Sequence, residues 1–260
     1  MMRKVFITTL LIGLLLVSGS CASFVRFESV DKTLDQTPQM LTGLLTKPSG
    51  DGPFPAVVML HGAGGLKDFY RPWATRLRGW GYVTLHVDSF GPRGVFDVFG
   101  GGRDFVPPIL RSMDAHGAKL YLARLPFVDP KRIAVLGWSH GGSTVLHAVH
   151  QSHWTQIPCD LFRAGVAFYP WCDQIIGLNA PLLVLIGEKD DWTPASRCKY
   201  YIPQSNSQHE AVLKVYPGAY HSFDHQFPVH RYRGHWVGRN WKAASAAYEE
   251  VKKFLAKHLK

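Results

Sequence analysis

Apolar residues along the chain fall into short continuous runs separated by segments of helical spacing. Continuous runs are typical of strands covered on both faces of a sheet, and they occupy residues 56–60, 82–87, 133–136, 164–169, 182–186 and 211–216. Two earlier segments, 24–31 and 40–46, alternate as strands do, and helical spacing covers 69–80, 109–125 and 243–258. This order predicts an α/β fold, with a mostly parallel sheet and helices on both faces.

One of these strands leads into a tight turn that carries a serine. The run Ile133–Leu136 continues as Gly137-Trp138-Ser139-His140-Gly141-Gly142, and the glycines open a helix. G-x-S-x-G between a strand and a helix predicts a nucleophile elbow, in which glycines permit a turn sharp enough to expose the serine. We therefore expect Ser139 to be a nucleophile and the backbone N–H of His140 to stabilise an oxyanion.

Two later strands end next to an acid and a histidine. Asp190 follows the run 182–186, and His221 follows the run 211–216. Functional groups of open α/β sheets gather at the carboxyl ends of strands, and the order Ser, Asp, His is that of the α/β-hydrolases. The sequence thus predicts a Ser139–His221–Asp190 catalytic triad, with Asp191 and Asp173 as alternative acids.

The remaining site residues are predicted from their position beside this triad. The segment His61–Gly65 follows the strand 56–60, and its small residues suit an oxyanion loop with the N–H of Ala63 as second donor; a plain tight turn is the alternative. Trp138 and Trp192 flank the triad and are expected to line the acyl pocket. Arg93 and Arg103 are candidates for binding a substrate carboxylate, or else loop arginines in water.

The histidines that follow His221 raise the question of a metal site. His225, His230 and His235 have spacings that fit no zinc motif. We therefore expect this stretch to be a loop over the active site, and we expect neither a metal nor a cofactor.

The N-terminus has the pattern of an export signal. Arg3 and Lys4 precede an apolar run from Val5 to Val17, and small residues lead to Cys21. This pattern predicts a signal peptide at residues 1–21, followed by a single domain at 22–260, and it also resembles a lipoprotein signal that is lipidated on Cys21. The expected location is the periplasm or, for the lipoprotein, the membrane surface; an uncleaved N-terminal anchor is the alternative.

Export makes disulfides permissible. Cys172 follows one predicted strand and Cys198 opens the helix after the next, so both are expected at the same sheet edge and are predicted to be bridged. Cys159 precedes its strand and is expected to be free; three unpaired thiols are the alternative.

The chain of 260 residues has a formal net charge of +10. Such a surface favours an anionic substrate or an anionic membrane face. The lysines and arginines are scattered and no nucleic-acid-binding motif accompanies them, so a nucleic-acid partner is not expected. The expected partner is a small ester or lactone, and the membrane is expected only through the N-terminal anchor.

From about Thr42 to the C-terminus the chain resembles the dienelactone hydrolase family of the α/β-hydrolase superfamily. The resemblance rests on five motifs, which are Leu60-His61-Gly62, Asp88-Ser89-Phe90-Gly91, the elbow 137–142, Gly187-Glu188-Lys189-Asp190-Asp191 and Tyr220-His221-Ser222-Phe223-Asp224. It implies an eight-stranded sheet without a large cap domain and favours Asp190 as the triad acid. The founding enzymes use cysteine as nucleophile, whereas this chain carries Ser139, which favours a general serine carboxylesterase.

The resulting hypothesis is a serine hydrolase that cleaves a carboxylic ester or lactone through an acyl-enzyme. An acyltransferase or peptidase on the same triad is one alternative. A non-catalytic binding lipoprotein is the other.

Overall fold

The computed structural model describes residues 22–32, 37–99, 106–150, 161–173, 177–204 and 208–259. Eight strands form the main sheet, in the spatial order β1-β2-β4-β3-β5-β6-β7-β8. Their bounds are β1 Ser23–Lys32, β2 Pro38–Thr46, β3 Phe54–Leu60, β4 Val83–Asp88, β5 Val128–Trp138, β6 Gly165–Phe168, β7 Leu182–Gly187 and β8 Ala211–Tyr216. The predicted eight-stranded sheet is confirmed.

Strand direction follows the predicted pattern. The two pairings β1–β2 and β2–β4 are antiparallel, and every other pairing in the main sheet is parallel. The central strands are fully buried apolar runs, because helices cover a parallel sheet on both sides. Register places Leu60 beside Gly137 and Trp138 beside Phe168, so the carboxyl ends of β3, β5 and β6 lie at one edge.

In the described part of the chain, five α-helices pack on this sheet. They are α1 Arg71–Gly79, α2 Pro108–Ala123, α3 His140–Ala148, α4 Ala195–Tyr201 and α5 Trp241–His258. Helix α1 packs against α5 through Trp73 and Tyr248, whose ring centroids are 5.1 Å apart, while α2 packs against α3. The apolar stripe of α5 faces the sheet, and the Asn240 side chain caps its start by accepting from Ala243 N at 3.1 Å.

A small hairpin that the sequence did not reveal lies beyond β8. Its strands are β9 His230–Tyr232 and β10 His235–Val237, each too short to show a hydrophobic period. Arg233 and Gly234 connect them with φ values of 50° and 87°, as a two-residue turn between antiparallel strands requires. This hairpin carries His230 and His235, while His225 lies before it.

Within the described ranges, no helix is long and apolar enough to cross a membrane. The predicted signal peptide at residues 1–21, with Cys21, lies outside the described residues, as does Cys159.

Candidate active site

The turn between β5 and α3 has the backbone of a nucleophile elbow. Ser139 has φ 53° and ψ −116°, a strained conformation for a residue with a side chain. A Cβ at Gly137 would collide with the carbonyl oxygen of Gly141, and a Cβ at Gly141 would collide with that of Leu60. The glycines are therefore needed for the close approach that carries Ser139 out at the sheet edge.

Ser139, His221 and Asp190 form one line of hydrogen bonds. The Oγ of Ser139 lies 3.0 Å from Nε2 of His221, and Nδ1 of the same ring lies 2.7 Å from Oδ2 of Asp190. The imidazole and the carboxylate are both buried. A ring that donates from Nδ1 to a carboxylate presents its other nitrogen as a base toward the hydroxyl, which is the geometry a catalytic triad needs.

The loop after β7 holds the Asp190 carboxylate in place. Its Oδ1 accepts from the backbone N–H groups of Trp192 at 3.0 Å and Thr193 at 2.8 Å, which leaves Oδ2 for His221. The alternative acids point elsewhere. Asp191 accepts from Trp236 N at 3.1 Å, and Asp173 pairs with Arg197 at 2.8 Å.

The two predicted oxyanion donors belong to the start of α3 and to the loop after β3. His140 is the first residue of α3, where backbone N–H groups have no partner within the helix. Ala63, in the loop after β3, lines both cavities that meet at Ser139. Gly62, just before it, donates to the hydroxyl of Tyr70 at 2.6 Å.

A buried arginine that the sequence gave no reason to select connects these two segments. One NH group of Arg111, on α2, donates to Nδ1 of His140 at 2.7 Å, and the other donates to the carbonyl of His61 at 2.8 Å. Burial lowers the pKa of Arg111 to about 10. The guanidinium thus braces both the helix start and the loop that flank Ser139.

Asp224, three residues after His221, attaches this segment to the core through hydrogen bonds. This buried carboxylate accepts from three side chains, Trp73 Nε1 at 2.7 Å, Trp138 Nε1 at 3.0 Å and the Tyr169 hydroxyl at 2.7 Å. The Tyr169 ring also lies 4.5 Å from the His221 ring. Burial, and then the charge of Asp224, raise the pKa of Tyr169, so its hydroxyl stays protonated and donates.

Two cavities open on either side of Ser139. The first has a volume of about 520 Å³ and includes His221 in its wall; the second has a volume of about 540 Å³. Both volumes are in the range of small-molecule sites. The predicted loop over the active site is observed here, since His225 and His230 line the first cavity and His235 lines the second.

Trp192 lies where the sequence predicted it, between the two cavities, with its ring 5.3 Å from that of His221. Trp138 borders the first cavity, but its indole has no exposed surface and is bound to Asp224, so it supports the wall from behind. Trp138 is the last residue of β5 and precedes Ser139. Its side chain points into the core because alternate residues of a strand face opposite sides of the sheet.

The prediction for Arg93 is wrong. Its two NH groups donate to the two carboxylate oxygens of Asp114 at 2.8 Å each, and Asp114 is completely buried. Arg93 also donates to the carbonyl of Ser89 at 2.7 Å and does not line either cavity beside Ser139. The charge of Arg93 is therefore paired within the protein, away from both cavities. Arg103 lies outside the described residues.

The predicted disulfide is present. Cys172, after β6, is bonded to Cys198 of α4, with their Cα atoms 5.0 Å apart. It ties the loop behind Trp171 to the helix that follows the Asp190 loop, and thereby joins two segments that border the second cavity.

The sheet order, the elbow and the placement of the three side chains define an α/β-hydrolase fold. The chain belongs to the dienelactone hydrolase family, whose model matches residues 41–259.

Three similar proteins carry a name that describes an activity. A Bradyrhizobium protein named "Probable 2-oxo-3-(5-oxofuran-2-ylidene)propanoate lactonase" is 23% identical over 205 residues, which cover 70% of this chain and 79% of that protein. A thermophilic esterase from Thermogutta terrifontis superposes with a TM-score of 0.65 at 17% identity, covering 91% of this chain and 94% of the esterase. A dienelactone hydrolase-like promiscuous phosphotriesterase from metagenomic libraries superposes with a TM-score of 0.67 at 20% sequence identity. The match covers 92% of this chain and 100% of the phosphotriesterase. At these identities the two structures establish the fold alone.

Proposed function

We propose that this protein is a serine hydrolase that cleaves a carboxylic ester or lactone through an acyl-enzyme formed on Ser139. The observation that carries the proposal is the continuous hydrogen-bonded line from Ser139 through His221 to Asp190, at the base of a cavity. Membership of a hydrolase family supports the reaction class. The names of the lactonase relative and of the esterase neighbour favour a lactone or an ester as substrate.

Each residue has a defined role in this mechanism. His221 accepts the proton of the Ser139 hydroxyl as the oxygen attacks the carbonyl carbon, and Asp190 stabilises the imidazolium. The negative oxygen of the tetrahedral intermediate is bound by the N–H groups of His140 and Ala63. His221 then protonates the departing alcohol. Water, deprotonated by the same histidine, attacks the acyl-enzyme and releases the acid.

The test compares Ser139→Ala with Ser196→Ala, a change at an exposed serine of α4. With a short-chain aryl ester, we expect Ser139→Ala to lose at least about 10³-fold in kcat, and Ser196→Ala to retain wild-type activity. A fluorophosphonate should add its mass to the wild type and to Ser196→Ala, but not to Ser139→Ala. Full activity in Ser139→Ala would overturn the mechanism, and an unlabelled wild type would favour a non-catalytic binding protein.

The same triad supports acyl transfer or peptide cleavage. Product analysis with an added alcohol or amine, and with a peptide substrate, distinguishes these reactions from hydrolysis of an ester. Free acid as the sole product from the ester agrees with our proposal.

We also propose that the chain is exported. The charged and apolar pattern of residues 3–17 supports this, and so does the Cys172–Cys198 disulfide, because disulfides persist outside the reducing cytoplasm. The test is the intact mass of the protein after expression in a bacterial host. A chain that begins at Cys21 and carries the added mass of a lipid would identify a lipoprotein. An unprocessed cytoplasmic chain would contradict export.

A further inference from the structure

The first cavity beside Ser139 has two aromatic walls. On one side Phe99, Trp192 and Tyr232 contact one another, with ring centroids 5.6 to 6.1 Å apart. Phe99 and Tyr232 meet edge to face, and the other two contacts are tilted, so each ring supports the orientation of its neighbours. This wall is therefore a preformed apolar surface.

A second group of rings in the lining of this cavity is built from Phe69, His225 and Phe227. The ring of Phe69 lies 4.7 Å from that of His225 and 6.2 Å from that of Phe227, and His225 lies 5.6 Å from Phe227. Burial lowers the pKa of His225, so this imidazole is neutral near pH 7 and adds a flat, uncharged ring to the wall.

The charges at this cavity favour no ion. Its described lining includes one lysine, Lys67, and one aspartate, Asp97, whose formal charges cancel. A volume of about 520 Å³ between aromatic walls suits a ring-sized apolar group, which gains both area burial and ring contacts there.

The second cavity has a different character. It shares Ala63, Phe99, Ser139 and Trp192 with the first. The rest of its lining includes the polar side chains of Thr193, Arg233 and His235. The scissile bond at Ser139 would therefore lie between two unlike surroundings. A substrate that spans the two cavities has one apolar half and one polar half.

We infer that the first cavity is a subsite for a phenyl-sized apolar ring, so that the substrate is an ester or lactone whose reacting carbonyl carries such a ring on one side. The inference rests on the proposed ester-hydrolase function. It adds the substrate class that neither the triad nor family membership specifies.

Two substrate pairs test the inference without assuming which half of the ester carries the ring. Ethyl 3-phenylpropanoate is compared with ethyl butanoate, and benzyl acetate with butyl acetate. In at least one pair the wild type should prefer the ring-bearing ester by about tenfold or more in kcat/KM, because only that ester covers both aromatic walls. Phe227→Ala and Phe69→Ala should each reduce this ratio at least about threefold. Phe24→Ala, an exposed change on β1, should leave it unaltered.

A binding experiment separates this inference from the proposed reaction. Ser139→Ala is titrated with 3-phenylpropanamide and with butanamide, and tryptophan fluorescence is recorded. We expect the aromatic amide to bind about tenfold tighter. Ester hydrolysis without a ring preference in either pair would overturn the subsite and leave the proposed function intact. Preferential binding of the aromatic amide, with neither the four esters nor the short-chain aryl ester nor a lactone hydrolysed, would support the subsite and overturn the proposed function.

Discussion

Replacing Asp224 with alanine is expected to lower the free energy of unfolding by about 4 kcal/mol, and replacing it with asparagine by only about 1–2 kcal/mol. The reason is the set of donors that meet this carboxylate. Trp73, Trp138 and Tyr169 all direct buried N–H or O–H groups at it, from 2.7 to 3.0 Å.

Alanine leaves all three donors without an acceptor. Each buried unsatisfied donor costs about 1–3 kcal/mol, which gives about 3–9 kcal/mol as an upper range. Two effects make the loss of stability smaller than this range. The alanine variant no longer buries the charge of the carboxylate, and water can enter the space that the carboxylate leaves. The expected loss therefore lies in the lower part of that range, at about 4 kcal/mol.

Asparagine can keep every contact. Both indoles donate to Oδ2, so the amide oxygen in that position still accepts from them. The amide nitrogen then faces the Tyr169 hydroxyl, which can accept from it and turn its own hydrogen toward His225 Nε2, 3.1 Å away. Only the charge is lost, which weakens hydrogen bonds that a carboxylate makes stronger.

Urea unfolding at pH 7.5 measures these differences, with Asp51→Ala in the exposed turn before β3 as control, expected within about 0.5 kcal/mol of wild type. Aryl-ester hydrolysis is measured on the folded fraction. Asp224 lies three residues after His221, so the alanine variant should also lose about 10²-fold in kcat as the imidazole shifts. A stability loss below about 1 kcal/mol for Asp224→Ala would refute this account, and so would equal losses for alanine and asparagine.

Three other predictions concern Arg111, the disulfide and two buried histidines. Arg111→Met should lower kcat by about 10- to 100-fold with KM changed less than about threefold, because both flanks of Ser139 lose their brace; an unchanged kcat would contradict this. Replacing Cys172 and Cys198 together with serine should cost about 3–4 kcal/mol in urea unfolding, from the loop closed by a sequence separation of 26; a loss under about 1 kcal/mol would count against it. Burial lowers the pKa of His86 from 6.5 to about 3 and that of His116 from 6.5 to about 4. Because these histidines take up protons when the protein unfolds, the free energy of unfolding should fall as pH decreases below about 6.5, by about 1.4 kcal/mol per pH unit for each histidine. The variant His86→Gln should show a smaller dependence on pH. A free energy of unfolding that stays constant between about pH 6.5 and 5 would contradict this.

Local sequence was sufficient for the framework of this protein. Each buried strand appears as an apolar run because both faces of a parallel strand are covered. The turn at Gly137–Gly141 could be predicted because the need for glycine at position 137 arises within the turn itself, from the carbonyl of Gly141. The order and placement of Ser139, Asp190 and His221 followed from the rule that strand ends meet at one edge. The structure places these three side chains in contact there.

Longer-range contacts could be found only in the folded chain. The sequence left Arg93 as a candidate for binding a substrate, because its partner Asp114 lies 21 residues later, on helix α2. Asp224 is bound by residues from three other parts of the chain, at separations of 151, 86 and 55 residues. No local pattern records which polar side chains will meet when helices pack on a sheet, since that depends on the relative position of whole elements.

The sequence by itself thus determined the fold class, the elbow and the residues expected to react, because these depend on periodicity, turn sterics and strand order. Only the tertiary structure decided which groups support them, namely Asp224 near His221 and Arg111 between the two flanks of Ser139. It also decided which aromatic rings from distant parts of the chain line the cavity. Buried polar groups must find partners wherever the packed chain provides them, and that choice is made by the whole fold.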